Sequence, residues 1–361
     1  MAQHPDFNKV IRHEMIELRR RMLGISQKAL SDRVGMSQGT LSKIEQGLKT
    51  VTDEQADKLS VALSCPVSFF CMPERIYGGP ISAAPMYRKK ASVGIKVLDR
   101  LIAEINVRIA HIRKLLQFVE FEPEFEMPSY DPDDYNGDAG EIARNVRKAW
   151  YMPAGPVKNL IEVLERAGCL IIDCDMDDTG LSGVSYNLPG LPPVIFINKN
   201  QPLDRYRFTL AHELGHLVMH KSPNQNMESE ADTFAAEFLM PARDVSPYLR
   251  DMSVEKAATL KPYWRVSMAS IIFRAKTLGF LNQGQNEYIW RQMSSRGYRL
   301  NEPVQLSAND EKPTLLAEIF NHVKQELDYD EDELAQVFSL NYEEIERLYP
   351  MNKKSGLRLV K

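Results

Sequence analysis

Apolar residues recur at helical spacing along most of the chain. Ile11, Met15, Leu18 and Met22 stand at i, i+4, i+7 and i+11, one face of a helix. Ser26 precedes 27–34 and Ser37 precedes 38–46. Serine is a favoured N-cap, and Gly35 and Gly47 stand where helices so started would end. Ala56, Leu59 and Leu63 line a further helix over 53–63, followed by Val67, Phe69 and Phe70 as core. Leu98, Ile105, Ile112 and Val119 then recur every seven residues, with Ile102, Ile109 and Leu116 between them. This a/d-like seam on a helix over 97–119 suits a coiled-coil homodimer, and equally a long helix packed on its own domain.

Helices are predicted at 141–150 and 157–167, and the apolar runs 169–172 and 194–197 read as buried strands. Behind Pro202, Leu203, Leu210, Leu214 and Leu217 repeat at helical spacing. A polar break at 222–226 separates that helix from another reaching Leu239 and ended by Pro241. The remainder is mostly helical, with turns at 279–285 and 295–303, and no internal repeat stands out. The fold class is therefore mainly α with a small α+β region. It divides into a helical head (8–73), a linker with a long amphipathic helix (74–138), a mixed region (139–243) and a helical C-terminal region (244–361).

A chain of 361 residues is too long for one ordinary domain. Four cysteines, none spaced C-x-x-C, point to a reducing compartment. No apolar run approaches the roughly 18 residues that span a bilayer, and the start lacks a signal-peptide pattern. A cytoplasmic protein with no membrane partner is expected. The net charge of −4 conceals an asymmetry: residues 1–50 carry nine Lys and Arg against five Asp and Glu. A Gly-, Pro- and Ser-containing linker over 78–91 ends in Arg88-Lys89-Lys90, and the acidic, Pro-containing stretch 121–138 reads as a solvated loop.

Three of the seven histidines are His212, His216 and His220. The string His212-Glu213-Leu214-Gly215-His216 is H-E-x-x-H on a segment already read as helical. Four residues are about 400° of helix, so both imidazoles leave nearly the same face, one turn apart, as two nitrogens on one metal ion require. Glu213, rotated by about 100°, can flank the ion without ligating it and take a proton from a water that the metal acidifies. His220 lies two turns from His212. Convergence of all three needs a break in the helix, so His220 reads as a supporting or packing residue. The next helix offers Glu228, Glu230 and Asp232 as the third ligand. Glu228 and Asp232 share a face at i, i+4, so one can bind metal while the other orients a histidine.

The run 204–216 with Met227-Glu228-Ser229-Glu230-Ala231-Asp232-Thr233-Phe234-Ala235 and Leu239-Met240-Pro241 resembles the ImmA/IrrE family of zinc metallo-endopeptidases. The resemblance extends upstream to 195–198 and downstream to 264–268 and 299–303. It implies Zn2+ held by His212, His216 and Glu228, Glu213 as catalytic base, and Asp232 as support.

The run from Ser26 to Gly47 resembles the Cro/repressor-like (XRE) helix-turn-helix, with Ala29, Leu30, Val34, Leu41 and Ile44 as its core. Double-stranded DNA is the implied partner. Gln38, Gly39, Thr40, Ser42 and Lys43 would belong to the reading helix, Gln38 suiting adenine and Lys43 guanine or phosphate. Gln27 and Arg19, Arg20 and Arg21 would suit phosphates. Together the two resemblances imply a DNA-binding transcriptional regulator whose endopeptidase cleaves a repressor or antitoxin-like protein. The competing reading is a non-catalytic sensor that keeps the peptidase fold as a zinc- or ligand-responsive module.

Overall fold

A computed structural model describes residues 10–79, 95–120, 122–307 and 311–349. The basic triplet Arg88-Lys89-Lys90 and most of the expected linker lie outside them. The chain forms two compact units. Of the described residues, one unit comprises 10–79, 95–120 and 316–349; the other comprises 122–307 and 311–315. These limits cut the chain at different places from the four segments read in the sequence.

The first unit opens with α1 (His13–Met22), α2 (Gln27–Val34), α3 (Gln38–Glu45) and α4 (Asp53–Ala62). Ser26 and Ser37 cap α2 and α3 by accepting the amides of Ala29 and Thr40. Gly35 ends α2 in the left-handed region (φ 67°). Leu30, Leu41, Ile44, Leu59, Phe69 and Phe70 are buried between these helices. Helix α5 (Ile95–Leu115) ends before the expected Val119. Ile105, Ile109, Ile112 and Leu115 are buried within the same chain, so the heptad seam packs on its own unit and carries no argument for a coiled-coil dimer.

The second unit begins with the acidic stretch after residue 121. It is docked rather than solvated: Phe125, Met127, Tyr130 and Tyr135 pack against the core, and the Trp150 indole donates to the Glu126 carbonyl (3.0 Å). Helices α6 (Ala139–Ala149) and α7 (Leu160–Arg166) lead into the sheet. Strands β1 (Leu170–Cys174), β2 (Gly183–Tyr186) and β3 (Val194–Asn198) are ordered β1-β3-β2. β3 runs parallel to β1, with Leu170 opposite Val194, and antiparallel to β2, with Gly183 opposite Ile197. β2 is thus an edge strand, and periodicity could not find it, because all four of its residues are buried and none alternates. Helices α8 (Leu203–Met219), α9 (Met227–Leu239), α10 (Ala242–Leu249), α11 (Val254–Trp264), α12 (Met268–Thr277) and α13 (Gln283–Ser295) complete the unit.

The chain then returns to the first unit as α14 (Leu315–Glu326), α15 (Glu331–Phe338) and α16 (Tyr342–Leu348). Glu344 pairs with Arg19 through two hydrogen bonds (2.8 and 2.6 Å). His111 of α5 bridges the Phe338 carbonyl and the Tyr349 hydroxyl, both at 2.9 Å. The pair α15–α16 repeats α2–α3 at one constant offset. Capping residues Ser26 and Asp330 correspond, as do Ser37 and Asn341, and both turns pass through a left-handed residue, Gly35 or Ser339 (φ 51°). Leu30, Val34, Leu41 and Ile44 have buried counterparts in Leu334, Phe338, Ile345 and Leu348. The repeat escapes the sequence because only apolar and capping positions correspond, and of these only Leu30 and Leu334 share a residue type. Where α3 carries Gly39, Thr40 and Ser42, α16 carries Glu343, Glu344 and Glu346.

Candidate functional site

The H-E-x-x-H motif sits on α8, which buried charges hold in place. Arg207, fully buried, donates to Glu311 and to the Arg265 carbonyl (3.0 Å); Glu311 also accepts from the Leu160 amide (2.7 Å) and Arg265 (2.8 Å). Lys261 joins Asp204 of α8 to Glu302, which also accepts the first amides of α12, from Met268 (2.9 Å) and Ala269 (3.2 Å). These contacts give the segments of the resemblance at 204–207, 264–268 and 299–303 a common task, fixing α8. Gly215 lets α9 approach: a Cβ there would stand 3.2 Å from the Phe234 ring and 3.3 Å from the Ala231 Cα. The small residues on both helices bring the first turn of α9 beside His212 and His216.

His212, His216 and Glu228 each offer a ligand atom, and these atoms lie within 4.8 Å of one another. The two Nε2 atoms are 3.0 Å apart, and the Glu228 carboxylate oxygens lie 3.7 Å from His212 Nε2 and 3.5 Å from His216 Nε2. Ligands about 2.05 Å from a tetrahedral ion stand roughly 3.3 Å apart, so the separations fit one small cation. The other ring nitrogens are occupied. His212 Nδ1–H donates to Asp232 Oδ1 (2.9 Å), His216 Nδ1 meets His220 Nδ1 (2.9 Å), and His220 Nε2 meets Glu230 Oε2 (2.9 Å). One proton arrangement suits a cation. His216 donates to His220 and His220 to Glu230, which turns both Nε2 lone pairs toward Glu228. Burial, then the neighbouring His212 and His220, holds the His216 pKa well below the usual imidazole range. Burial also opposes a charge on His212, but the Asp232 hydrogen bond and the carboxylates of Glu213, Asp232 and Glu228 outweigh it and raise its pKa.

Glu230, one of three carboxylates open as third ligand in the sequence, holds His220 and leaves Glu228 as the ligand-capable group. The helix ends at Met219, and His220 turns into extended backbone (φ −109°, ψ 91°), which lets its ring reach His216 from behind.

Glu213 is buried, and its Oε2 accepts a hydrogen bond from Ser185 Oγ on β2 (2.7 Å). Gly183, at the start of β2, admits it: a Cβ there would stand 2.7 Å from Thr209 Cγ2 and 3.3 Å from Glu213 Cγ. Gly183, Ser182, Phe208, Thr209, His212, Glu213 and Glu228 share one cleft of about 260 Å³. Sequence reasoning missed Ser185 and Gly183, since neither belongs to a motif and β2 itself gave no signal.

In the first unit Gln38, Gly39 and Lys43 are exposed, and Thr40 and Ser42 partly so. Thr40 Oγ1 pairs with Ser37 Oγ (2.9 Å). The Gln27 amide donates to Glu45 (2.7 Å), which also receives Arg20 (2.6 and 2.9 Å). Arg19 is buried on Glu344 and the Leu63 carbonyl, and Arg21 pairs with Asp99 (2.8 Å). Gln27 and the three arginines, all read as phosphate contacts, are therefore engaged inside the unit.

Among the described residues, no helix is long and apolar enough to cross a membrane. No curated protein matches the chain significantly. Two family models do: the helix-turn-helix over residues 16–70, and the IrrE N-terminal-like domain, a metallopeptidase family, over 164–276. With the capped helix pair in one unit and the H-E-x-x-H helix in the other, the chain is a fusion of an XRE-like helix-turn-helix with an ImmA/IrrE-type metallopeptidase domain.

Proposed function

We propose that this chain is a transcriptional regulator whose metallopeptidase domain is a working zinc endopeptidase, cleaving a repressor or antitoxin-like protein. The observation that carries the reading is the placement of Glu213, held by Ser185 in the same cleft as His212 and Glu228. A site that only bound metal would have no use for it. His212, His216 and Glu228 would hold the ion, with Asp232 and the His220–Glu230 pair fixing the two imidazoles. Zinc, when bound, supplies Lewis acidity that polarises a peptide carbonyl and acidifies water. Glu213 takes the proton from the attacking water and delivers it to the leaving amine. An extended substrate would lie beside one of the short strands, with Gly183 of β2 already lining the cleft. Gln38, Gly39, Thr40, Ser42 and Lys43 face DNA from the head, with Gln27 fixing Glu45 behind them.

Glu213→Gln tests the reading. Metal content is expected to equal that of wild type, operator binding to be unchanged, and cleavage of the protein encoded beside this gene to fall about 10²–10⁴-fold. Equal behaviour of the two proteins in that cleavage assay and in reporter control would replace the enzyme with a metal-dependent sensor.

A further inference from the structure

A second cavity, of about 490 Å³, opens beside the metal cleft and is absorbed by nothing described so far. Its walls are Phe208 of α8, Ala236 of α9, Phe273 and Thr277 of α12, and Trp290 of α13. Phe208 also lines the metal cleft, so the two spaces share a wall. Asp232, the acceptor for His212, stands on its rim. The only other ionisable group in the lining is Arg274, buried on Glu237 and the Met240 carbonyl. Phe273, 59% exposed, is a large apolar ring that lines the cavity and still faces solvent.

We infer that this groove is the side-chain pocket of the peptidase site, taking a leucine, methionine or phenylalanine of the substrate one or two residues from the scissile bond. The inference rests on the endopeptidase reading above and names its substrate preference. Phe208 precedes His212 by one helical turn, about 6 Å along α8. An extended peptide advances about 3.3 Å per residue, so a strand lying over His212 brings a side chain above the groove within two residues. The groove offers that side chain aromatic and methyl surface, and its two charged groups are already engaged. A large apolar residue is therefore favoured over alanine by roughly 10–200-fold, and an acidic one is rejected. Ala236, with its small side chain on α9, sets the depth.

The test uses the zinc-loaded full chain and a peptide pool from a digested bacterial proteome, with cleavage sites read by mass spectrometry. Wild type is expected to enrich leucine, methionine or phenylalanine at one fixed position at least about tenfold over alanine. Ala236→Trp should shift that position to small residues. Phe273→Asp, a surface change that leaves the fold in place, should reduce the enrichment severalfold. A second measurement does not depend on turnover: two peptide hydroxamates, identical except for leucine or glycine beside the chelating group, are titrated while tryptophan emission is followed. Trp150 and Trp264 are buried, so Trp290 reports the groove, and Trp290→Phe should remove the signal. Cleavage without an apolar preference, or equal affinity for the two hydroxamates, overturns the pocket and leaves the peptidase reading standing. Absence of both cleavage and hydroxamate binding overturns the peptidase reading and the pocket with it.

Discussion

His220 lies one turn beyond His216, and on a continuous helix it would stack above the other two imidazoles without helping them. Because α8 stops at Met219, its ring instead meets His216 on the nitrogen facing away from Glu228 and passes the contact on to Glu230. Asp232 does the same for His212 directly. Both are orienting contacts, so His220→Ala and Asp232→Ala are each expected to weaken zinc binding about 10–100-fold in competition with a chromophoric chelator. Gly183→Ala should behave differently, because its new methyl would press on Thr209 and Glu213 and on no ligand. Zinc stoichiometry stays at the wild-type value while turnover falls about a hundredfold, the scale on which displacement of a catalytic group is felt. At this scale the ligand spacing was legible because H-E-x-x-H states a helical geometry outright. Ser185 and Gly183 were not, since their roles exist only once β2 lies alongside α8.

The helices of the second unit show why local pattern went only part of the way. The starts and stops of α8 and α9 followed from Pro202, the polar break and Pro241, all local effects of backbone chemistry. What fixes α8 is remote in sequence: Arg207 finds Glu311, and Lys261 links Asp204 to Glu302. No periodicity announces such pairs. Removing Arg207 leaves the buried Glu311 with only the partly exposed Arg265 as its cation. Arg207→Ala is therefore expected to cost about 3–5 kcal/mol, read from the urea midpoint of tryptophan fluorescence. That signal reports this unit, which contains Trp150, Trp264 and Trp290. The heptad run of α5 teaches the converse: a seam with the right spacing for a coiled coil is satisfied by burial inside its own unit.

In the first unit, one buried imidazole makes stability sensitive to acid. His111 is enclosed by α5, α15 and Tyr349, and burial, aided by Lys114, Arg108 and Arg19, lowers its pKa to about 3. Unfolded, the same group titrates near 6.5. Above that value neither state binds the proton and stability is unaffected. As pH falls from 6.5 toward 3 only the unfolded chain takes it up, and stability drops by about 1.4 kcal/mol per pH unit. His111→Gln should flatten that acid slope by one proton's worth in circular-dichroism unfolding curves, whatever it does to stability at neutral pH.

The discontinuity of the first unit also bears on how the protein is made. Leu18, Arg19 and the reading helix leave the ribosome early, whereas Glu344, the partner that neutralises Arg19, is translated after the whole peptidase insert. At 5–20 residues per second the interval is roughly 16–65 s. For that time the guanidinium lacks its counter-charge, and a nascent chain interrupted within the insert never acquires one. The head therefore gains its Glu344 contact only after the peptidase insert has been translated.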